Sequence, residues 1–181
     1  MLTIYYVVAA IVAIAIVVAI VYAIRAARSR ELVKRFGPEY ERTLRERGDR
    51  AEAERELATR QARVRKFHIE ELPAGAKDRY VEEWRTVQTR FVDEPRAAVV
   101  DADHLVVAVM RDRGYPMENF EQRAADISPD HPHVVEDYRV AHGIAARSER
   151  GEVSTEDLRQ AMQHYHTLFD ELLGAEERRT S

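Results

Sequence analysis

The stretch LTIYYVVAAIVAIAIVVAIVYAI, residues 2–24, separates an apolar N-terminus from a highly charged remainder in this 181-residue chain. It contains 23 residues and no charged side chain. At about 1.5 Å of rise per residue, a helix of that length measures roughly 34 Å and exceeds the bilayer's hydrocarbon core of about 30 Å. The sequence therefore predicts one transmembrane helix over residues 2–24, with the lipid bilayer as a partner.

A cleavable secretory signal is the alternative to a retained anchor. Such a signal has a basic N-terminal region, an apolar core of about 7–15 residues and a small-x-small cleavage site. In this chain no Lys or Arg precedes Arg25, the apolar run is longer, and the triplet Ala13-Ile14-Ala15 falls in mid-span. We therefore predict that the anchor is retained.

Residues typical of membrane interfaces flank the apolar run. Tyrosine rings favour the headgroup level, and basic side chains there contact anionic headgroups. The predicted interface residues are Tyr5, Tyr6, Tyr22, Arg25, Arg28, Arg30, Lys34 and Arg35. All the cations follow the run, within a basic juxtamembrane segment, residues 25–36. The positive-inside rule then predicts an external N-terminus and a cytoplasmic C-terminal domain.

Charge and composition limit the function of the remainder. The basic segment carries a net charge of +4, so residues 37–181 carry −8 within a chain of net charge −4. An acidic domain binds nucleic acid poorly, because affinity for phosphate backbones depends on Lys and Arg. The chain has no cysteine, in agreement with a reducing compartment. Its preference for Arg over Lys and its abundant Ala indicate a GC-rich bacterial source, and hence the inner membrane.

Apolar residues recur at helical spacing, and no stretch alternates long enough to predict a strand. The sequence therefore predicts an all-α chain with a transmembrane anchor (1–24), the basic segment (25–36), a charged helical arm (37–72), a helical globular domain of about five helices (73–174) and a polar tail (175–181). The arm has only a narrow apolar stripe, so a solvated arm, a two-stranded coiled coil and a partly docked helix all remain open.

Local signals predict where the helices begin and end. Breaks are expected at Gly37-Pro38, at Gly48 and at Gly114-Tyr-Pro116. Helix starts are expected at Pro95, at the capping sequence Asn119-x-x-Gln122, at Asp130 as an N-cap and at Ser154-x-x-Asp157, and an end is expected at Gly174. The helix that begins at Pro95 carries the broadest apolar face and should be central to the domain.

Three segments carry a family resemblance. They are RFGPEYERTLRERGD (35–49), GYPMENFEQRAADISPDHPHVVEDYRVAHGIAARSERG (114–151) and STEDLRQAMQHYHTLFDELLG (154–174). Together they resemble a family of small bacterial proteins with an N-terminal transmembrane segment, usually labelled hypothetical or secreted. The resemblance implies no activity, cofactor or catalytic residue.

Histidine is the best candidate for chemistry, because imidazole binds metals and exchanges protons near neutral pH. The metal-ligand candidates are His131, His133, His104 and Asp101. His164 and His166 point about 200° apart on a helix and do not share an ion. We expect His142 and Tyr138 to form a hydrogen-bonded core pair. No catalytic motif is present, and no cofactor is expected.

Small residues within the anchor favour self-association. They recur every four residues in two series, Ala9 and Ala13, and Ala15, Ala19 and Ala23, and such faces let helices approach closely. Two function classes follow. The first is a membrane-tethered helical interaction or scaffold module that binds a protein partner or a second copy of the chain. The alternative is a ligand- or metal-binding domain, enzymatic or not, that uses the His and Asp positions.

Overall fold

The computed structural model describes the backbone of residues 2–179 and the side chains of residues 5–6 and 11–174. That part of the chain contains eight helices and no strand, which confirms the all-α prediction. The helices are α1 (Leu2–Phe36), α2 (Pro38–Arg47), α3 (Arg50–Val64), α4 (Ala76–Arg90), α5 (Pro95–Asp112), α6 (Phe120–Ile127), α7 (Val135–Ser148) and α8 (Thr155–Arg179).

Helix α1 is long and apolar enough to cross a membrane. Its candidate span covers Ile11–Phe36, and none of its most apolar window is buried against the rest of the chain. Ile14 and Tyr22, for example, are 64% and 75% exposed. Large apolar side chains in water are unfavourable by about 25 cal/mol per Å². By length and composition, one helix among the described residues could span a bilayer.

The end of α1 is built into a small core with α2 and α3. Leu32 and Phe36 of α1 are buried with Tyr40 of α2 and Leu57 of α3, and Leu44 packs against them. The charged arm is thus neither solvated nor a separate coiled coil within the described residues. Its two helices pack against each other and against α1, and α3 also packs against α6.

A larger core lies among α4–α8. Helix α8 packs against α5 and α7, and α5 also packs against α4 and α7. Its fully buried side chains include Val106, Tyr138, Tyr165 and Leu168. The helix that begins at Pro95 is α5, and its broad apolar face is buried as predicted. Two helices, α5 and α8, therefore share the centre of this core.

Several predicted boundaries are confirmed by their cap geometry. Gly37 separates α1 from α2 with φ 45°, and Gly48 ends α2 with φ 70°. The Asn119 carboxamide accepts from the Gln122 N–H at 3.0 Å. The Ser154 hydroxyl accepts from the Asp157 N–H at 3.1 Å, and the Asp157 carboxylate accepts from the Ser154 N–H at 2.8 Å.

Two predicted boundaries are wrong. Asp130 does not cap α7, which begins at Val135. The chain first makes a further turn after α6, in which the His131 N–H donates to the Ile127 carbonyl at 2.8 Å, and the Asp130 carboxylate pairs with Arg35 at 3.3 Å. Helix α8 also continues through Gly174 to Arg179. Glycine lowers helix stability by only about 1 kcal/mol, and no proline follows to end the helix.

The connection between α3 and α4 is fixed to the end of α5. Arg113 is 3% exposed and donates from Nη1 to the Leu172 carbonyl of α8 at 2.6 Å. Its own carbonyl accepts from the Glu70 N–H at 2.9 Å. Gly114 has φ 90°, and a Cβ there would lie 2.3 Å from the His68 carbonyl oxygen. Only glycine therefore allows this close approach of two backbones.

Candidate functional site

A charged cleft of about 880 Å³ lies between the α2–α3 hairpin and helices α6 and α7. We call it the arginine cleft. Its lining includes the arginines Arg42, Arg47, Arg55, Arg60, Arg63 and Arg139 and the glutamates Glu46, Glu52, Glu56 and Glu121. Thr59, Asn119 and Gln122 add uncharged polar groups. A lining of this kind recognises charged or polar partners by ion pairs and hydrogen bonds.

Glu39 is a buried anion beside this cleft. Its side chain is 1% exposed, although it lies in the first turn of the highly charged helix α2. Arg139 of α7 binds it as a fork, with Nη1 2.7 Å from Oε2 and Nη2 2.8 Å from Oε1. Arg60 of α3 adds a third bond at 2.7 Å. One carboxylate therefore joins α2, α3 and α7.

The surroundings of Glu39 keep it ionised. Burial alone would raise the pKa of Glu39, but the hydrogen bonds and charges of Arg139 and Arg60 outweigh it and hold the pKa below its ordinary value. Burial likewise opposes the charge on Arg139, and Glu39 more than compensates, so the pKa of Arg139 is raised. Both partners therefore remain charged, as a buried ion pair requires.

Further ion pairs connect the C-terminal part of α1, residues 25–36, which we call the stem, to α6 and the turn after it. They also connect the charged arm to α6. Arg63 Nε of α3 lies 2.9 Å from Oδ1 of Asp126, whose side chain is fully buried. Arg35, near the end of α1, lies 3.3 Å from Asp130 Oδ1 and donates to the Pro129 carbonyl at 3.2 Å. The α1–α2–α3 unit is therefore attached to the larger core by several charged pairs.

A recess of about 550 Å³ shares Arg42 and Arg139 with the arginine cleft and extends to His142. The His142 ring stacks on Phe120 with centroids 3.7 Å apart and planes 8° apart. On its other side, His142 Nδ1 lies 3.8 Å from Asp103 Oδ1. A carboxylate in that place orients the imidazole ring.

Asp103 lies behind His142, away from the recess, beside two buried tyrosines. The Tyr165 hydroxyl donates to Asp103 Oδ1 at 3.0 Å. Burial would raise the pKa of Asp103, but hydrogen bonds with His142 and Tyr165 lower it overall. Burial, reinforced by the Asp103 charge, raises the pKa of Tyr138 to about 12 and also raises that of Tyr165. Near neutral pH the Asp103 carboxylate is therefore charged and the two tyrosines are protonated.

The prediction of a hydrogen bond between His142 and Tyr138 is wrong. Their ring centroids are 6.4 Å apart. The Tyr138 hydroxyl instead accepts from Arg123 Nε at 3.2 Å, and His142 faces Phe120 and Asp103. Residues four apart on a helix do lie on one face, but partners from α5 and α6 are better placed.

The structure does not gather the four predicted metal-ligand candidates at one site. His131 is 2% exposed, with Nδ1 3.3 Å from Glu171 Oε1, whereas His133 is exposed. Burial is the main cause that lowers the pKa of His131. Asp101 pairs with Arg90 at 2.6 Å and shares a shallow recess with exposed His104. Among the described residues, no group of three or more His, Asp or Glu is placed to hold a metal ion.

The predicted membrane-interface residues lie along α1. Tyr5, Tyr6 and Tyr22 are exposed, as are Arg25, Arg28, Arg30 and Lys34. Arg30 donates to the Ala26 carbonyl one turn earlier at 3.2 Å. Arg35 is the exception, because it faces Asp130 of the folded domain.

Sequence reasoning missed Glu39, Arg139 and Asp103 as parts of a site. Glu39 and Arg139 are 100 residues apart, and each lies in a segment rich in charge. The proline at the start of α2 gave the helix start, but no periodicity distinguishes Glu39 from its exposed neighbour Glu41.

Comparison of the chain with protein-family models, with curated proteins and with solved structures gives no match.

Proposed function

We propose that this protein is a single-pass, membrane-anchored helical interaction module. One observation carries the proposal: the same continuous helix that bears the apolar span ends inside the folded domain, where Phe36 is 0% exposed. A single unbroken helix therefore joins the anchor to the folded domain. A module of this design fixes where a partner is bound and in which orientation it meets the membrane.

The continuity of α1 also supports retention of the anchor. Signal peptidases cleave after a short apolar core, at small residues in an extended segment. Residues 24–36 are helical without a break, and Ser29, Leu32 and Phe36 within them are buried by the domain. We propose that the protein belongs to the bacterial inner membrane, with its N-terminus outside and its domain in the cytoplasm. We also propose membership of the small bacterial family that the sequence resembles.

The arginine cleft is the proposed partner surface. Its basic and acidic side chains lie on α2, α3, α6 and α7, and the Glu39 pairs join three of these helices, α2, α3 and α7. Complementary charge patterns favour specific association. We expect the occupant to be a polar protein segment that carries charges of both signs.

Site-specific photocrosslinking in membranes tests this proposal. A crosslinker replaces Thr59, which lines the cleft, in the full chain, and a matched chain carries it at Thr86 of α4, far from the cleft. We expect a discrete adduct from position 59 alone, and Arg55→Glu should weaken it. Equal labelling from both positions, or no adduct from either, would contradict a specific partner at the cleft.

Self-association through α1 is the form of the proposal that needs no second protein. Ala13, Ala15, Ala19 and Ala23 are exposed along the apolar part of α1, so the small-residue face is free in the single chain. Crosslinking of the full chain in membranes should give a dimer that Ala19→Leu removes and Ile20→Leu retains. A dimer that survives Ala19→Leu would require another interface.

A small-ligand function is favoured by one arrangement, the His142–Asp103 pair beside the cleft. Arg42 and Arg139 lie in the same recess and would attract an anionic group towards the imidazole. Titration calorimetry of the full chain with inorganic phosphate tests this alternative, with His142→Asn and Arg42→Gln as variants. Absence of heat at millimolar phosphate would remove it.

A further inference from the structure

Helices α1 and α3 lie side by side and run in the same direction. Near the start of the contact, the Ser29 hydroxyl of α1 donates to Glu54 Oε1 of α3 at 2.6 Å. Farther along both helices, Arg35 and Arg63 reach acidic residues at the end of α6, Asp130 and Asp126. Between these two levels Leu32 and Leu57 share the small core. The contacts follow one another with increasing residue number in both helices, so α1 and α3 are parallel.

This alignment directs the α2–α3 turn, residues 45–50, back towards the apolar run. Asp49 lies five residues before Glu54, which corresponds to about 7.5 Å along the axis of α3. Ile24, the last residue of the apolar run, lies the same number of residues before Ser29 in α1. The turn is therefore level with the end of the apolar run.

The burial of side chains along α1 also shows how far the α2–α3 hairpin extends towards the apolar run. Arg25, Ser29, Leu32 and Phe36 are spaced by four, three and four residues and lie on one face of the helix. The last three are buried, whereas Arg25 is exposed. The α2–α3 hairpin therefore covers α1 as far as Ser29, one helical turn after Arg25. A bilayer's headgroup layer is about 5–7 Å thick on each side, so Arg25 and the turn fall within it when the apolar run spans the core.

The unpaired charge at this level is mainly positive. Arg25, Arg28 and Arg45 are exposed and have no acidic partner within the described residues. Two nearby acids are already engaged: Glu46 binds Arg42 at 2.7 Å, and Asp49 caps α3 by accepting from the Glu52 N–H at 2.8 Å. Exposed Glu31 and Glu52 leave the surface still net cationic, since Arg30 also projects from it.

We propose that the α2–α3 turn is a second membrane contact, at which Arg45 joins Arg25, Arg28 and Arg30 in binding the phosphates of anionic phospholipids. The inference rests on the proposed anchor, because the apolar run sets the depth. The occupant is lipid because a spanning α1 brings this surface to headgroup depth. Residues 45–52, RERGDRAE, also contain no large apolar side chain that would enter a protein groove.

Two labelled variants measure the depth of the turn. The natural chain has no cysteine, so single substitutions can be labelled cleanly. Ala51→Cys and Ala58→Cys both place a fluorophore at an exposed alanine of α3. The two positions are seven residues apart and lie on the same face, but position 58 is about 10 Å farther from the membrane. Ala58→Cys is therefore the matched control.

The experiment uses the full chain in nanodiscs of phosphatidylcholine and phosphatidylglycerol that contain a headgroup nitroxide lipid. We expect the nitroxide to quench the label at position 51 severalfold more than the label at position 58. Equal quenching at both positions would overturn the inference. If the chain also resisted alkaline extraction, the anchor would still stand; release by alkali would refute the anchor itself.

A change of lipid charge tests the role of the arginines. Quenching at position 51 should fall severalfold when phosphatidylglycerol is replaced by phosphatidylcholine, because a basic side chain near an anionic surface contributes about a fivefold gain in binding. Arg45→Gln should reduce the response to phosphatidylglycerol, and Arg85→Gln, on the remote helix α4, should not. Quenching that is independent of lipid charge would overturn the anionic-lipid contact.

Discussion

At the residue scale, the least expected feature is a glutamate that is completely buried in a segment dominated by surface charge. Glu39 and Glu41 both lie in the first turn of α2, yet only Glu39 faces inwards, where Arg60 and Arg139 surround it. A buried charge of this kind is maintained only by partners, because desolvation of a lone carboxylate costs several kcal/mol. Those partners come from α3 and α7.

Replacement of Glu39 should strongly destabilise the fold. Glu39→Gln leaves Arg60 and Arg139 close together without their anion, and loss of one partner from a buried pair costs about 3–5 kcal/mol. Glu41→Gln, at the exposed neighbouring position, should change the free energy of unfolding by less than about 0.5 kcal/mol. Denaturant unfolding of both variants measures the difference, and equal stabilities would contradict the structural role of Glu39.

His131 should make the protein less stable in acid. Burial lowers its pKa below the ordinary value of 6.5, so the unfolded chain takes up a proton before the folded chain does. Stability is therefore complete above about pH 6.5 and falls as the pH drops from there towards the folded pKa. Thermal midpoints between pH 7.5 and pH 5 measure the loss. His131→Gln should flatten this decline, and His133→Gln, at an exposed neighbour, should leave it unchanged.

Two glycines should respond in opposite directions to the same substitution. Gly114→Ala places a Cβ 2.3 Å from the His68 carbonyl oxygen at φ 90° and should destabilise the fold by more than about 1 kcal/mol. Gly143→Ala lies within α7 with nothing within 4 Å and should stabilise it by about 0.5–1 kcal/mol. Thermal unfolding compares them, and a loss of stability in Gly143→Ala would refute the open space there.

At the element scale, the helices themselves were predictable and their contacts were not. The cap at Asn119, the glycine ends at Gly37 and Gly48, and the broad apolar face after Pro95 all depend on neighbouring residues. Asp130 pairs with Arg35 of α1 and does not cap α7, and no local signal reveals this long-range contact. Docking of the charged arm likewise depended on Glu39 and Asp126, each paired across the fold.

The stem of α1 should be as important to the arm as the arm's own residues. Phe36→Ala removes a side chain that is 0% exposed, and core truncations of this kind cost about 3–5 kcal/mol. Val33→Ala, at a position that is 42% exposed, is the control and should have little effect. Hydrogen exchange of α3 in the full chain should accelerate in the first variant alone. Unchanged protection in Phe36→Ala would separate the arm from the anchor.

At the scale of the whole molecule, the charges next to the apolar run should set its orientation. Arg25, Arg28 and Arg30 lie within about two turns of the membrane. A C-terminal reporter should be cytoplasmic in the natural chain, and conversion of these three arginines to glutamate should reduce or reverse that orientation. Conversion of Arg85, Arg90 and Arg96 in the distant domain is the matched control. A natural chain with an external reporter would contradict the proposed topology.

The sequence by itself determined the apolar run, the all-α class and most helix ends, because composition and near-neighbour geometry encode these features. The tertiary structure alone decided that the stem of α1 enters the domain, that the charged arm docks, and which charges are buried. The physical reason is that Glu39 and Arg139, or Asp103 and His142, are distant in the chain and ordinary in type. Their roles depend on burial and distance, which exist only after the helices have packed.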